Sequence, residues 1–437
     1  MDGQVVIVGA GHAAGQLLAT LRQQGFGGHV TVIGDEPYQP YQRPPLSKKY
    51  LSGELPVERL NFKPPAFYEA IDVEFVLETR VDAIDRSAAE VALENGRRLA
   101  YDFLFLATGT RVRRLGLPGH DLDGVHYLRS IADADALRAD LDGASRLAVV
   151  GAGYIGLEVA AVAQSQGVDV TVFEMADRVM SRVVSPTISD FYRGEHEAKG
   201  VHFEFGAGIE GFGGQARVES VQLMGGQQYQ TDAILVGIGV EPNVELASDA
   251  GLDTANGIVV DAHCRTSDPR IFAVGDCTSH PSTVYGRQIR LESVQNALDQ
   301  ARIAVVNALG GDETHDAVPW FWSDQYDLKL QIAGLSEGHD QVVLRGDPAS
   351  RSFSCAYLDG GRLIAVDAIN APKDFMQAKA MIANADEPDP AKLADPGLEL
   401  KATIYTFAKQ FGKSVGLAAK LSCLGREKDP SIIALFF

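Results

Sequence analysis

Residues 4–36, QVVIVGAGHAAGQLLATLRQQGFGGHVTVIGDE, decide the fold. They begin with a short apolar run typical of a buried parallel strand, and a turn of the pattern G-x-G-x-x-G/A follows at residues 9–14. A helix, a second strand and an acidic residue complete the unit that binds dinucleotides in doubly wound folds. The positions that this unit assigns to a nucleotide are Gly9, Gly11, His12, Ala13, Ala14 and Asp35.

The small residues of this turn have separate physical roles. Gly9 permits the tight turn, Gly11 lets backbone amides approach a pyrophosphate, and Ala14 keeps the helix close to its strand. The N-terminus of the helix presents unpaired amides and the positive end of its dipole to the phosphates. Asp35 follows at the spacing of about twenty residues at which a carboxylate meets ribose hydroxyls. The complete unit therefore predicts a dinucleotide site.

Composition limits the classes of function. At 437 residues, with 46% apolar residues, the chain is long enough for two or three domains. Its net charge of −19 argues against nonspecific binding to nucleic acid or to an anionic membrane. No apolar run is long enough to span a bilayer, and a strand that begins at Gln4 leaves no room for a signal peptide. We expect a cytoplasmic protein.

The cysteines predict neither a metal site nor a redox pair. The chain has four, Cys264, Cys277, Cys355 and Cys423, and their spacing fits no C-x-x-C motif. Reduced thiols in a cytosol are the simplest interpretation.

The dinucleotide pattern occurs twice. Residues 146–150 read as a strand, 151–156 are GAGYIG, and a helix and a second strand lead to Glu174. The closing segments YDFLFLATG (101–109) and TDAILVGIG (231–239) also correspond. This internal similarity suggests duplication and predicts two nucleotides, one in each unit. The positions predicted to contact the second nucleotide are Gly151, Gly153, Tyr154, Ile155, Gly156, Glu174 and Gly239.

The predicted fold class is α/β, with two Rossmann-like domains and a C-terminal α+β domain. Near Trp320 the composition changes to WFWSDQYDLKLQIAG and further strand-like pieces. The expected domains are 1–109 with 238–318, then 110–237, then 319–405. Residues 406–437 are basic and end in the apolar SIIALFF, so they are either an amphipathic helix or an artificial extension.

Longer motifs carry a resemblance to a known family. They are VIVGAG (6–11), RPPLSKKYL (43–51), FLATG (105–109), YLRSIADA (127–134), VVGAGYIGLEVAA (149–161), ILVGIGVEPN (234–243), TSDPRIFAVGDC (266–277), RLESVQNALDQAR (290–302) and PWFWSDQY (319–326). From residue 4 to about 405 the chain resembles the FAD-dependent, NADH-using ferredoxin reductases of bacterial oxygenase systems. The resemblance implies a glutathione-reductase-like architecture, FAD on the first unit, NADH on the second, and a C-terminal interface domain.

The resemblance also implies the residues that contact FAD. These are Gly9, Gly11, Ala13, Asp35, Lys48, Val81, Arg129, Asp276 and Val294, with Ala107, Thr108, Gly109 and Trp320 beside them. Apolarity alone makes Val81 and Val294 core residues. Instead of contacting FAD, Arg129 could form a surface ion pair, and Asp276 could cap the helix that follows it. Arg43 has only its place in the loop of Lys48 to support it.

The implied reaction takes hydride from NADH onto the flavin and passes single electrons to a [2Fe–2S] ferredoxin that feeds a P450 or Rieske oxygenase. Lys48 is expected to stabilise charge on the flavin, and Glu158 to pair with Lys48 across the two domains. Tyr154 is expected to act as a lid over the flavin. Each of the three has an alternative interpretation. Lys48 could be a solvated loop lysine, and Glu158 could be an ordinary first-turn carboxylate on a helix that opens at Gly156. Tyr154 could be a core-packing residue.

Two acidic residues are predicted to contact the nicotinamide nucleotide. A carboxylate at Glu174 accepts a 2′-hydroxyl and repels a 2′-phosphate, so NADH should be preferred to NADPH. Arg178 and Arg182 follow closely and weaken that preference. By resemblance, Glu292 holds the nicotinamide amide.

Electrons are expected to leave near Trp320 and Trp322, although two core aromatics are the alternative. Because such ferredoxins are acidic, a local basic patch is predicted. Arg302 is its first candidate, with a helix-surface arginine as the alternative, and Arg287, Arg290 and Lys379 follow.

The rival function is an NADH-dependent flavin disulfide or peroxide reductase. Such enzymes need a redox cysteine near the flavin, and residues 36–60 contain none. A flavin-bound signalling or nucleic-acid-binding protein is a third class, and the acidic composition argues against it.

Overall fold

The structure is a computed structural model that describes residues 3–404. The predicted tail, 406–437, lies outside the described residues. The strands are β1 Gln4–Val8, β2 His29–Ile33, β3 Val73–Val76, β4 Val81–Asp85, β5 Glu90–Leu93, β6 Arg98–Ala100, β7 Phe103–Leu106, β8 Thr110–Val112, β9 Val125–His126, β10 Arg146–Val150, β11 Asp169–Glu174, β12 His202–Phe205, β13 Ile209–Gly214, β14 Val218–Leu223, β15 Gln228–Gln230, β16 Ala233–Val236, β17 Val240–Pro242, β18 Thr254–Ala255, β19 Gly257–Val259, β20 Ile271–Ala273, β21 Thr278–Ser282, β22 Arg287–Ile289, β23 Trp320–Gln325, β24 Leu328–Gly334, β25 Gln341–Arg345, β26 Phe353–Asp359 and β27 Arg362–Ile369.

Helices connect and cover these strands. They are α1 His12–Gln23, α2 Pro65–Ala70, α3 Ile131–Leu141, α4 Tyr154–Ser165, α5 Pro186–Glu197, α6 Glu245–Asp249, α7 Val294–Ala308, α8 Pro372–Ala383 and α9 Pro390–Leu393. Short 3₁₀ helices occur at Pro44–Ser47, Val57–Leu60, Pro348–Ser350 and Leu400–Thr403. Within residues 3–404, no helix has the length and apolarity that crossing a membrane requires.

The first five-stranded sheet has the order β20-β7-β1-β2-β3, and all of its strands are parallel. Its central strands are continuous apolar runs because both faces are covered. On one face, Leu17, Leu18 and Leu21 of α1 pack with Val5 and Ile7 of β1. The antiparallel sheet β4-β5-β6 contributes to the core on the other face.

The second sheet repeats this arrangement with the order β12-β11-β10-β16-β9, again all parallel. It has its own antiparallel three-stranded sheet, β13-β14-β15. The internal similarity of the sequence is therefore matched by two corresponding folding units. Strands β8 and β17, which connect the two units, pair with each other antiparallel. The chain thus leaves the first unit and returns to it along one two-stranded ribbon.

The C-terminal part is an antiparallel sheet of order β23-β24-β27-β26-β25 with helix α8 packed on it. Strand β27 is buried along almost its whole length, which explains its apolar sequence. The structure thus has the predicted class, two Rossmann-like units followed by an α+β domain. The exact domain boundaries stay predictions.

Candidate active site

One large cavity runs between the two glycine turns and the C-terminal sheet. Its volume of 1310 Å³ exceeds the roughly 300–1,000 Å³ of a pocket for one small molecule. The predicted site residues that line it are Gly9, Gly11, His12, Ala13, Asp35, Arg43, Lys48, Ala107, Thr108, Gly109, Arg129, Tyr154, Ile155, Glu158, Asp276, Glu292, Val294 and Trp320. Those that do not line it are Ala14, Val81, Gly151, Gly153, Gly156, Glu174 and Gly239. Most of the residues predicted to contact FAD are therefore brought together.

The first glycine turn has the shape of a dinucleotide cradle. Gly9 has a φ of +108°, and a Cβ there would lie 2.2 Å from the carbonyl oxygen of Ala107. A Cβ on Gly11 would meet no atom of the described protein within 4 Å, although Gly11 lines the cavity. Gly9 is thus required by the fold of the chain, whereas the space beside Gly11 is free for a ligand. Such a cradle, placed at a helix N-terminus, fits a pyrophosphate group.

The two glycines predict different effects of substitution. Gly11→Ala should change the free energy of unfolding by less than about 0.5 kcal/mol, because the added methyl group meets no protein atom. It should nevertheless weaken FAD binding at least about tenfold, because that methyl group enters the pyrophosphate space. Gly9→Ala should lower the free energy of unfolding by at least about 2 kcal/mol, through its strained φ and the clash of the added Cβ with the carbonyl oxygen of Ala107. Denaturation of the FAD-free protein and fluorescence titration with FAD measure both effects, and unaltered FAD affinity of Gly11→Ala would contradict the placement.

Two arginines, each beside a carboxylate, line the first unit's side of the cavity. Arg43 donates to the carbonyl oxygen of Arg129 at 2.6 Å and pairs with Glu36 at 2.5 Å. Arg129 lies 3.5 Å from Asp276. Burial, followed by repulsion from the two arginines, lowers the pKa of His12 to about 4, so that this imidazole is neutral at pH 7. Arg43 and Arg129 thus place guanidinium groups in the wall of the cavity, and their contact with a phosphate stays a prediction.

Asp276 does not cap the following helix. The N-cap of α7 is Ser293, whose hydroxyl accepts from the amide of Asn296 at 3.2 Å. The helix begins too far along the chain for Asp276 to reach its free amides, so the capping alternative is wrong. Burial raises the pKa of Asp276. Its carboxyl group lies in the cavity opposite Arg129, where it is available to a polar ligand.

Asp35 and its neighbour Glu36 differ in their partners. The side chain of Asp35 is 61% exposed, and its ion pair with Arg80 is long, at 3.7 Å. Glu36, which the sequence did not single out, accepts from Tyr41 and Arg43. Asp35 therefore remains available to ribose hydroxyls, whereas Glu36 orients Arg43.

Val81 and Ala14 belong to the core. Val81 packs against the apolar cluster beneath β4, and Ala14 is buried between α1 and the first sheet. The predicted role of Ala14, close packing of helix on strand, agrees with this position. Val294 lines the cavity at the start of α7.

Lys48 and Glu158 form an ion pair across the two units. The Nζ–Oε2 distance is 2.7 Å, and the side chains are 19% and 1% exposed. Helix α4 begins at Tyr154 rather than at Gly156, so Glu158 lies in its second turn, where the helix dipole contributes little. The first-turn alternative is therefore wrong. Lys48 lies in the cavity wall and is not a solvated loop lysine.

Two serines that the sequence analysis missed complete the surroundings of Glu158. The hydroxyl of Ser47 donates to Oε2 at 2.5 Å, and that of Ser323 donates to Oε1 at 2.6 Å. The carboxylate thus receives donors from the first unit and from the C-terminal sheet. The alternation of side chains along PWFWSDQY is the one local pattern that places Ser323 on the face opposite the tryptophans, but it does not indicate the contact with Glu158.

Tyr154 lies between the cavity and the C-terminal sheet. Its ring centroid is 4.8 Å from that of Phe321, and its hydroxyl group is buried with no hydrogen-bond partner among residues 3–404. The ring lines the cavity and also packs on the core. The geometry is compatible with both the lid and the packing interpretations, and the lid stays a prediction.

The three glycines of the second turn do not line the large cavity, although Tyr154 and Ile155 of the same turn do, and the turn has the expected carboxylate beside it. Glu174 accepts from the amides of Ala152 and Ala176 at 2.7 and 2.9 Å, which fixes it beside the turn. Arg178 donates to the carbonyl oxygens of Ser181 and Val184 and to the hydroxyl of Ser189, so its guanidinium is directed into its own loop. Arg182 lines the cavity instead.

The predicted docking residues separate into two groups. Trp320 and Trp322 line the cavity with ring centroids 5.6 Å apart, and Nζ of Lys379 lies 5.1 Å from the ring centroid of Trp320. Arg287 and Arg290 also line the cavity but pair with Glu337 and Glu292. Arg302 lies outside the cavity and pairs with Glu313. Its placement agrees with the helix-surface alternative, and Lys379 is better placed beside the tryptophans.

The described cysteines are buried and unreactive. Cys264, Cys277 and Cys355 are free thiols, and none of these three lines the cavity. Burial raises the pKa of each thiol, that of Cys355 to about 12. Because the thiolate is the nucleophile, these three residues do not support a disulfide reductase.

Comparisons with known proteins agree with this geometry. The family model for pyridine nucleotide-disulphide oxidoreductases matches residues 3–301, and the reductase C-terminal model matches residues 320–404. The ferredoxin–NAD(+) reductase component of the anthranilate 1,2-dioxygenase system of Burkholderia cepacia is 44% identical over 91% of this chain and 98% of its own. Putidaredoxin reductase of Pseudomonas putida is 42% identical over 92% of this chain and 97% of its own.

A solved structure extends the comparison. The crystal structure of the covalent putidaredoxin reductase–putidaredoxin complex matches with a TM-score of 0.88 and 42% identity, covering 91% of this chain and 97% of that chain. The predicted fold class is thereby confirmed. The chain belongs to the pyridine nucleotide-disulphide oxidoreductase family and, within it, to the FAD-dependent ferredoxin reductases that oxidise NAD(P)H.

Proposed function

We propose that this reductase oxidises NADH, receives the hydride on FAD, and reduces two molecules of a [2Fe–2S] ferredoxin, with release of one proton. The ferredoxin then supplies a cytochrome P450 or a Rieske oxygenase. One observation carries the proposal: a single cavity joins the first glycine turn, the Lys48–Glu158 pair and the tryptophans of β23. Hydride would enter, and electrons would leave, through this same cavity. A cytoplasmic location is part of the proposal because NADH is an intracellular nucleotide.

The residues of the chain have distinct tasks in this scheme. Bound FAD supplies the chemistry that accepts two electrons together and releases them singly. Arg43 and Arg129 hold phosphate, and Asp35 holds ribose. Lys48 places a positive charge at the cavity wall, and Glu158 keeps it there. Trp320 and Trp322 exclude water where the partner approaches.

We assign residues 1–109 and 238–318 to FAD, residues 110–237 to NADH, and residues 319–405 to the partner interface. Two parallel sheets support the first two assignments, since the four strands β7-β1-β2-β3 of one correspond in order to β16-β10-β11-β12 of the other. The ferredoxin interface of this proposal is centred on Trp322 and Lys379, with Arg287 and Arg290 beside them. The relative solved with putidaredoxin supports a protein partner of this kind.

Glu174 should decide the choice of nucleotide. Glu174→Ala should lower the ratio of kcat/KM for NADH to that for NADPH at least about tenfold, because repulsion of the 2′-phosphate and a bond to the 2′-hydroxyl are both lost. Arg178 should not attract the 2′-phosphate, since three of its donors bond to Ser181, Val184 and Ser189, which direct its guanidinium away from Glu174. The exposed neighbour Asp177 gives a matched control of the same charge change, and Asp177→Ala should leave the ratio unchanged. An unchanged ratio in Glu174→Ala would remove Glu174 from the selection of NADH.

Rapid mixing tests the function. The purified FAD-loaded protein is mixed with NADH and the loss of flavin absorbance is followed, and the reduced protein is then mixed with [2Fe–2S] ferredoxins. We expect fast reduction by NADH and stoichiometric reduction of two ferredoxins. Transfer to no ferredoxin, together with rapid reduction of a disulfide or a peroxide, would replace the proposal by the rival function.

A further inference from the structure

Strand β23 presents alternate side chains to two different parts of the protein. Successive side chains of a strand point to opposite faces. Trp320 and Trp322 share one face, and their rings, tilted by 32° to each other, line the cavity together with the ring of Phe321. Phe321, Ser323 and Gln325 share the other face, and each of the three contacts the second unit. One strand therefore joins the proposed electron exit to the unit that carries Glu158.

A continuous series of hydrogen bonds begins on this second face. The side-chain amide nitrogen of Gln325, Nε2, donates to the hydroxyl of Ser323 at 3.3 Å, and that hydroxyl donates to Glu158 at 2.6 Å. The oxygen of the same amide lies 2.9 Å from Nε2 of His196. An amide oxygen only accepts, so Nε2 of His196 is the donor. All of these donors thus point toward the carboxylate of Glu158.

His196 is suited to this place because it is neutral. It is fully buried, and burial lowers its pKa to about 4, so at pH 7 it has one donor nitrogen and one acceptor nitrogen. Nε2 donates to Gln325, and Nδ1 lies 3.3 Å from the hydroxyl of Tyr326, which donates to it. The series therefore runs without reversal from Tyr326 through His196, Gln325 and Ser323 to Glu158. Aligned hydrogen bonds of this kind polarise and strengthen one another.

The backbone is strained where the series begins. Tyr326 is the first residue of the two-residue turn between β23 and β24, and its φ is +56°. Bulky side chains rarely adopt this conformation, and such strain persists only where the surroundings enforce it. The contact of the tyrosine hydroxyl with His196 is an interaction that glycine could not make at this position.

We propose that Ser323, Gln325 and His196 are positioning residues for the hydride transfer. Their hydrogen bonds end on Glu158, keep its carboxylate oriented, and through it hold Lys48 at the cavity wall. Glu158 then joins three parts of the chain, with Lys48 from the first unit, its own helix from the second and Ser323 from the C-terminal sheet. This inference rests on the proposed function and adds residues that do not line the cavity themselves.

The test uses the full-length, FAD-loaded protein and the variants Ser323→Ala, Gln325→Leu and the two combined. Rapid mixing with NADH gives the limiting rate of flavin reduction and the NADH concentration for half-maximal rate, and redox titration gives the midpoint potential of the bound flavin. Ser323→Ala should lower the limiting rate about tenfold and make the potential more negative, with the half-saturating NADH concentration unchanged. Gln325→Leu should lower the rate about threefold, and the combined variant should be no slower than Ser323→Ala, because the series is already broken.

Ser354→Ala is the matched control. Ser354 is a buried serine of the same sheet whose hydroxyl donates to Asp374 at 2.8 Å, away from Glu158. This substitution removes an equivalent hydrogen bond and should leave the rate and the potential unchanged. A Ser323→Ala protein with the parent's rate and potential, effects that multiply in the combined variant, or an equal loss in Ser354→Ala would each overturn the inference. If the parent protein itself is not reduced by NADH, the proposed function fails together with the inference.

Discussion

Replacing Glu158 by alanine is expected to lower the free energy of unfolding by about 3 kcal/mol and to slow the reduction of FAD by NADH about 100-fold. The carboxylate is 1% exposed and accepts from Ser47, Lys48 and Ser323. Its removal leaves two hydroxyl groups without this acceptor and the ammonium group of Lys48 without its counter-charge, and removing one partner of a buried ion pair costs about 3–5 kcal/mol. The lower value applies because Lys48 borders the cavity and is partly hydrated. Chemical denaturation and rapid mixing with NADH measure the two effects.

Glu158→Gln separates charge from packing. The amide has nearly the same shape and still accepts a hydrogen bond, so most of the stability should return. The slow reduction of FAD should remain, because a neutral group no longer holds the ammonium of Lys48 in place. A glutamine variant that is reduced as fast as the parent protein would show that the charge of Glu158 has no part in the reaction.

Asp367 should make the protein less stable as the pH rises toward neutrality. The side chain is fully buried, and burial raises its pKa from 3.8 to about 7 although Tyr357 donates a hydrogen bond to it. The folded state therefore keeps this proton over a range of pH in which the unfolded state has released it. The contribution to stability is complete below about pH 4 and declines until the folded carboxyl group ionises near pH 7. The difference of about three units between the folded and unfolded pKa corresponds to about 4 kcal/mol in the free energy of unfolding. About 3 kcal/mol of this contribution is lost between pH 5 and pH 8.

Asp367→Asn should remove most of this slope, because an amide does not ionise in this range. The quantity to compare is the change in the free energy of unfolding between pH 5 and pH 8, measured by chemical denaturation. Asp359→Asn, at the exposed end of the neighbouring strand β26, is the control and should keep the parent's slope. Equal slopes in the parent and in Asp367→Asn would show that Asp367 is already ionised in the folded protein.

Local sequence was enough to place the two nucleotide units. The strands β1 and β10, the turns at Gly9 and Gly151 and the helices that follow lie where their patterns predict them. Each pattern is local, since a buried parallel strand requires a continuous apolar run and a tight turn requires a positive φ at Gly9. The start of α4 was displaced by two residues, because the sequence does not show which residue of the turn first adopts helical geometry.

The candidate site was predictable only where a residue belongs to such a local pattern. Asp35 and Glu174 were located by their distance from a glycine turn. Ser323 and His196 were not, because their importance depends on contacts with residues far away in the chain. Arg302 was suggested as a partner contact by its positive charge alone, and the fold places it on the surface outside the cavity, paired with Glu313, so its docking role stays a prediction.

The sequence by itself determined that there are two dinucleotide units and a third domain of different composition, because turn chemistry and apolar periodicity act between near neighbours. Only the tertiary structure decided that Glu158 is the meeting point of Lys48, Ser47 and Ser323, and that one face of β23 contacts the second unit while its aromatic residues line the cavity. Contacts over such separations arise from the packing of whole sheets, and a single sequence carries no local signal for them.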